Sequence, residues 1–210
     1  MTRITASIDF IFQRIAKEKP THLDAPGQRT AAREWFRTAA QEVRQVDAVR
    51  AMNRASQARR VTTIGPQRIG QMFMFWYDAK LKDELPYWDR LPLVFPIEIY
   101  KDGFLGINLH YLPPMLRARL MDALYTTMNN KRYDATTRLR ITYSILKSAA
   151  KYRGFKPCVK RYLSSHVRSA FITIEPTEWD MALMLPTERF VKARKQTVHN
   201  DSTQSLSGKK

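Results

Sequence analysis

Three sets of side chains in this 210-residue chain have types and spacings that invite a chemical reading. The first is acidic. Asp78, Asp83, Glu84, Asp89 and Glu98 lie close in sequence with Lys101 behind them, which is the raw material of a metal-dependent nuclease. Such a centre needs two or three carboxylates converging on the ion. Glu98 and Lys101 are three residues apart and face opposite ways on a strand, whereas Asp78 and Lys80 share a face. No acid stands between Asp47 and Asp78, so the upstream metal-binding carboxylate is missing. The second set is Cys158 and His166, a nominal nucleophile and base. If both stand on one helix from Pro157 to Val167, eight residues put them about 12 Å apart along the axis, out of hydrogen-bond reach. Cys158 then reads as a small core residue, and His110, between Leu109 and Tyr111, as a satisfied core or groove histidine.

The third set is cationic. Thirty-six Lys and Arg against nineteen Asp and Glu leave a formal charge of +17. Solubility alone asks for about 2–8 on a small domain, so the excess points to a polyanionic partner, with nucleic acid first and an anionic membrane second. The charge is unevenly spread. Residues 1–70 carry +7, residues 71–112 carry −2 and residues 113–210 carry +12. Within the last part, 117–168 holds thirteen bases against only Asp122 and Asp134.

Other chemistries are poorly provided for. One cysteine excludes a disulfide framework or a multi-cysteine zinc site, and the four histidines have no metal-ligand spacing. There are seven glycines, no Gly-rich phosphate loop and no serine elbow. The longest apolar runs, Leu91 to Ile97 and Met181 to Pro186, fall far short of the roughly 20 residues of a membrane span. No basic amphipathic helix with a Trp/Leu face suits a membrane surface. Asp9 and Gln13 inside the first apolar stretch argue against a signal peptide. The expectation is a protein that is not an enzyme and needs no cofactor, metal, membrane or small-molecule substrate.

The elements that must carry the cations follow from periodicity. Ile4, Ile8, Ile11 and Ile15 make one apolar helical stripe closed by Lys19-Pro20. A second helix runs from about Thr30 to Arg60, with nine Arg and no Lys between Arg29 and Arg68. Arg33, Arg37 and Arg44 share its face. That face is either a solvated surface or, given the bidentate guanidinium fork, a phosphate contact.

The middle block reads as core. Gln71 to Tyr77 is an apolar and aromatic strand, and Leu93 to Tyr100 and Phe104 to Leu112 form a hairpin through Lys101-Asp102-Gly103. Pro92 and Pro96 demand an edge or a bulge, and a further strand covers Ala170 to Ile174. The aromatics Trp76, Tyr77, Tyr87, Trp88, Tyr100, Phe104 and Tyr111 either stack unpaired bases or pack the core. The block's negative balance favours the core.

Pro113-Pro114 opens a helix with Leu116, Leu120 and Leu124 inward. Asp134 caps the next, from about Ala135 to Arg153, with Leu139, Ile145, Leu146 and Ala149 buried and Gly154 as its stop. Arg140, Lys147 and Lys151 line its polar face, with Ser144 and Ser148 between them. Lys156, Lys160, Arg161 and Arg168 follow on or beside the third helical stretch, Pro157 to Val167. The expected fold is α+β: a helical Arg-rich region over 1–64, then a core domain over 65–195, then a mobile tail over 196–210. The core domain holds a small bent antiparallel sheet, possibly an SH3-like barrel, followed by basic helices.

Several stretches together resemble a known family. They are Tyr77-Asp78-Ala79-Lys80, Leu85-Pro86-Tyr87-Trp88-Asp89, Gly103 to Pro113, Lys156-Pro157-Cys158-Val159-Lys160-Arg161-Tyr162-Leu163, Glu178-Trp179-Asp180 and Leu185-Pro186-Thr187-Glu188. Across about 65–195 the chain is similar to the virion DNA end protector proteins of T-even-like contractile-tailed phages. The resemblance implies a virion protein, made in the host cytoplasm, that joins the packaged linear genome near the portal vertex beside other virion proteins. There it would cover the duplex ends against host exonuclease and help complete the head. Such steric work needs sequence-independent phosphate contact, for which Arg33, Arg37, Arg44, Arg140, Lys147, Lys151, Lys156, Lys160, Arg161 and Arg168 are the candidates. The rival is a structural protein of the neck, tail or baseplate whose cations meet an acidic partner protein.

Overall fold

The computed structural model describes residues 60–113, 117, 120, 121, 123, 124, 127, 132–151, 153–184 and 187–207. The two expected N-terminal helices, with Arg33, Arg37 and Arg44, lie outside the described residues, as does Leu116. In chain order the strands are β1 (Arg60–Val61), β2 (Met72–Met74), β3 (Trp88–Asp89), β4 (Leu93–Tyr100), β5 (Gly103–Asn108), β6 (Val159–Leu163), β7 (Phe171–Ile174) and β8 (Phe190–Val191). The α-helices are α1 (Ala135–Lys151), α2 (Trp179–Met184) and α3 (Lys195–Ser207). The chain divides into two compact units: 1–58 with 177–187, and 59–176 with 188–210. Of the first, the described part is 177–184 and 187, where α2 has Trp179, Ala182 and Leu183 buried.

The second unit holds an antiparallel sheet of order β1-β7-β2-β4-β5-β6 and a separate two-stranded ribbon, β3 with β8. This is the α+β class expected, but the sheet does not close into an SH3-like barrel. Its β1 side is built from strands of two, four and three residues, too short to carry the tilt and stagger that would bring β1 round to β6. The Asp-Gly hairpin forms as the sequence specifies, with Tyr100 opposite Gly103. Pro96 sits in an interior strand rather than at an edge, and the register shifts between Pro96 and Glu98, so the missing N–H is absorbed by a bulge.

The net-negative middle block is the core. Every residue of β4 from Leu93 to Ile97 is buried, as are Phe73, Phe75, Tyr77 and Phe104. Phe75 meets Tyr77, Phe104, Tyr162 and Phe171 edge-on, with ring centres 4.8–6.3 Å apart. Of the aromatics left open by the sequence, Tyr77, Phe104 and Tyr111 are buried and Tyr100 is exposed. Close packing makes one glycine indispensable. A Cβ on Gly103 would run into the Tyr162 carbonyl oxygen and lie 3.0 Å from Leu163 Cα, both backbone atoms of β6 that cannot swing aside. Gly103→Ala is therefore expected to cost about 3 kcal/mol of stability, read as a lower urea midpoint at unchanged slope.

Helix α1 begins where Asp134 specifies. The Asp134 carboxylate accepts hydrogen bonds from the Thr137 amide at 2.8 Å and from the Thr137 hydroxyl at 3.0 Å. Thr142 and Leu146 are its buried side, with Leu139, Ile145 and Ala149 half-buried beside them. Helical backbone is also found at 117, 120, 121, 123, 124 and 127, where Leu120 and Leu124 point inward as expected.

Two expectations are overturned. Pro157 to Val167 is not an α-helix: 3-10 segments, Arg153–Cys158 and Ser164–His166, flank strand β6, which pairs with β5 from Val159 opposite Ile107 to Leu163 opposite Gly103. The alternation was masked because Lys160 points inward beside Tyr162, its ammonium 4.3 Å above the Tyr111 ring. Nor is 196–207 a loose tail. It forms α3, with Val198, His199 and Ser202 buried at helical spacing.

Candidate nucleic-acid interface

Helix α1 carries the clearest cationic surface. The segment 135–174 holds nine Lys and Arg and not one Asp or Glu. Arg140, Lys147 and Lys151 are all exposed, with exposed Ser144 and Ser148 between them. Offsets of seven and eleven residues keep the three within about 20° of one line, over about 16 Å of helix. Lys147 donates to the Tyr143 hydroxyl at 3.0 Å, a bond that raises its pKa and holds the ammonium charged. Lys156, in the turn that follows, is also exposed.

The remaining candidates are placed differently. The ammonium of Lys160 lies over Tyr111, and burial lowers its pKa, so it serves as packing as much as charge. Arg161 is committed to the hairpin: it pairs with Asp102, donates to the carbonyls of Tyr162 at 2.8 Å and Phe104 at 3.3 Å, and covers the Tyr100 ring at 4.3 Å. Arg168 is exposed but 3.7 Å from Asp78, which Lys82 also reaches at 3.3 Å. The structure thus groups Arg140, Lys147 and Lys151 and sets Arg161 and Arg168 against carboxylates.

Sequence reasoning missed a second arrangement, a buried polar network. Asp89 lies at its centre. One oxygen accepts from the amides of Leu91 (3.0 Å) and Arg189 (3.3 Å), and the other meets Asn108 Nδ2 (3.1 Å) and His110 Nδ1 (2.7 Å). Asn108 also donates to the Tyr162 hydroxyl at 3.0 Å and accepts from the His110 amide at 3.0 Å. From there Arg117 donates to the carbonyls of Leu112 (2.8 Å) and His110 (3.0 Å) and to Glu188 Oε1 (2.9 Å), with His199 Nε2 at 3.2 Å. Burial alone would push the Glu188 carboxyl up; Arg117, helped by His110 and Lys195, holds it at about 2. Burial lowers the pKa of His199.

The network lies in the interior. His110 is fully buried and Asp89 nearly so. Cys158 is likewise fully buried, and burial pushes its thiol up to about 12, as befits a core residue rather than a nucleophile. No cluster of three or more metal-ligating side chains exists among the described residues. Nor is any helix among them long and apolar enough to cross a membrane. The available signal for the network was a set of lone polar residues set in apolar or aromatic runs: Asp89 after Tyr87-Trp88, and Asn108 and His110 around Leu109.

The motifs that carried the family resemblance meet here, with Asp89, Asn108, His110, Tyr162 and Glu188 supplied by four of them. Their shared purpose is to lock distant segments into one body. A family model described as phage T4 terminal DNA protecting protein matches residues 15–204. No curated protein and no solved structure matches the chain.

Proposed function

The chain belongs to the family of phage T4 terminal DNA protecting proteins, and from that premise we propose that it binds the ends of packaged linear double-stranded DNA. It shields those ends sterically from host exonuclease and helps complete the head, seated among other virion proteins near the portal vertex. The work requires no catalysis and no cofactor. What must be supplied is sequence-independent contact with phosphates, strong enough to survive once the DNA is released.

The observation that carries this reading is the exposed line of Arg140, Lys147 and Lys151 on α1, inside a segment without a single acidic residue. Like charges so arranged repel one another, and a phosphate backbone laid along them removes that repulsion. Lys156 extends the surface. Arg33, Arg37 and Arg44 are further candidates for phosphate contact. Lys160, Arg161 and Arg168 would act at its margin, since part of their charge is already engaged.

A mobility-shift assay with blunt linear and circular DNA of equal length tests the proposal. Preference for the linear form supports capping, equal binding indicates a general basic protein, and no binding supports the structural virion protein with an acidic partner. Affinity should fall with salt at a log–log slope of about −0.9 per phosphate neutralised. Replacing Arg140, Lys147 and Lys151 together by Ala should flatten that slope by up to about three units, with no change in thermal midpoint because all three are exposed. An unchanged slope would remove α1 from the interface.

A further inference from the structure

The ribbon β3–β8 ends in two arginines that face each other. Its register pairs Trp88 with Val191 and Asp89 with Phe190, which makes Arg90 and Arg189 the next opposed pair. The Arg90 amide donates to the Arg189 carbonyl at 2.9 Å, so the pairing continues to this point. Residues directly opposite on antiparallel strands project to the same side with Cβ atoms about 5 Å apart, and like charges there destabilise the pair. Both guanidinium groups lean on one indole: the Arg189 carbon is 5.5 Å and the Arg90 carbon 6.0 Å from the Trp76 ring centre. Trp76 is itself fixed at both ends of its backbone, by Ser169 Oγ on its amide and the Arg168 amide on its carbonyl.

No carboxylate among the described residues supplies a counter-charge for this pair. Among the described residues neither arginine has a carboxylate within ion-pair distance, and Arg189 Nε is buried without a hydrogen-bond partner. The carboxylates adjacent in sequence, Asp89 beside Arg90 and Glu188 beside Arg189, are occupied elsewhere, Glu188 by Arg117 at 2.9 Å and Lys195 at 3.8 Å. Asp89 points to the other face of the ribbon and takes Asn108, His110 and two amides, and Asp78 is held by Lys82 and Arg168. Arg90 is exposed and Trp76 and Arg189 half-buried, so the pair opens to solvent.

We propose that Arg90 and Arg189, seated on Trp76, form a binding site for a terminal phosphate monoester of a DNA strand. Two unmatched, planar guanidinium forks on one rigid support suit a ligand with two negative charges and three free oxygens. A phosphate monoester carries close to −2 at neutral pH, whereas each internal phosphodiester carries one charge. Only a strand terminus or a nick offers the former, so the site would distinguish an end from the length of the duplex. This rests on the DNA-end reading above but adds a recognition element separate from the α1 surface, which treats all phosphates alike.

The test uses the full chain with one blunt duplex sequence in three forms: 5′-phosphate, 3′-phosphate and hydroxyl at both termini. One of the phosphorylated forms should bind about tenfold more tightly than the hydroxyl form, the scale of one charge-assisted bidentate contact. Arg90→Gln with Arg189→Gln should bring the phosphorylated form to the hydroxyl form's affinity while leaving the salt slope of the hydroxyl form unchanged. Equal affinity of the wild-type chain for all three forms overturns the proposal without needing any variant. A preference for linear over circular DNA could still stand in that case, so the two readings fail separately.

Discussion

Asp89→Ala should lower the unfolding free energy by about 4 kcal/mol, the scale of breaking a buried charge network from one side. The carboxylate is buried and holds four donors from three separate stretches: the amides of Leu91 and Arg189, Asn108 Nδ2 and His110 Nδ1. Deleting it leaves these groups buried without an acceptor, and each loses a hydrogen bond that water cannot reach in to replace. Asp89→Asn should recover only part of the loss, because its amide brings a second donor to face the Asn108 and His110 donors. Urea denaturation reads both variants as a shifted midpoint at constant slope. A loss below about 1 kcal/mol for Asp89→Ala would mean that the network contributes shape rather than stability.

Acid should unfold the protein in two steps, both traceable to the Arg117 cluster. The folded Glu188 carboxyl lies at about 2 against an ordinary value of 4.5. Its contribution is therefore complete above about pH 4.5 and is lost as pH falls toward 2, by about 3 kcal/mol in all. His199 acts in the same direction but earlier. Its pKa is lowered in the fold, so below about pH 6.5 the unfolded chain takes up a proton that the folded chain resists. Stability should begin to slip near pH 6.5 and fall steeply below 4.5. Glu188→Gln should flatten the lower step. Arg117→Met should do more harm, since burial then pushes the Glu188 carboxyl up against only His110 and the exposed Lys195 and moves its protonation toward neutral pH. Thermal midpoints measured from pH 7 to 3 decide the matter; a lower step that survives in Glu188→Gln would assign it to other carboxylates.

Local chemistry was legible in the sequence and long-range chemistry was not. Asp102-Gly103 fixed its hairpin and Asp134 its helix start because each signal acts within a few residues. The line of Arg140, Lys147 and Lys151 was equally readable, since offsets of seven and eleven belong to helix geometry alone. Strand β6 escaped because an inward lysine on an aromatic ring broke the expected alternation. Helix α3 escaped because Ser, Thr and Asn are weak helix formers, and burial of Val198, His199 and Ser202 overrides that preference. The Asp89 network left almost no trace, because its members lie far apart and each looks like an ordinary charge beside apolar neighbours. The opposed arginines at 90 and 189 were invisible for the same reason: only the β3–β8 register brings them together.

The separations in that network also set the order in which the molecule can be finished. Arg189 reaches Asp89 across 100 residues, His199 reaches Arg117 across 82, and the Arg117–Glu188 pair spans 71. A growing polypeptide therefore carries its half-made interior open until Glu188, Arg189 and His199 have been synthesised, however early β4 and β5 pair. A product released short of that point would keep the cationic helix on an incomplete body, without the clasp that Glu188, Arg189 and His199 make with Asp89 and Arg117.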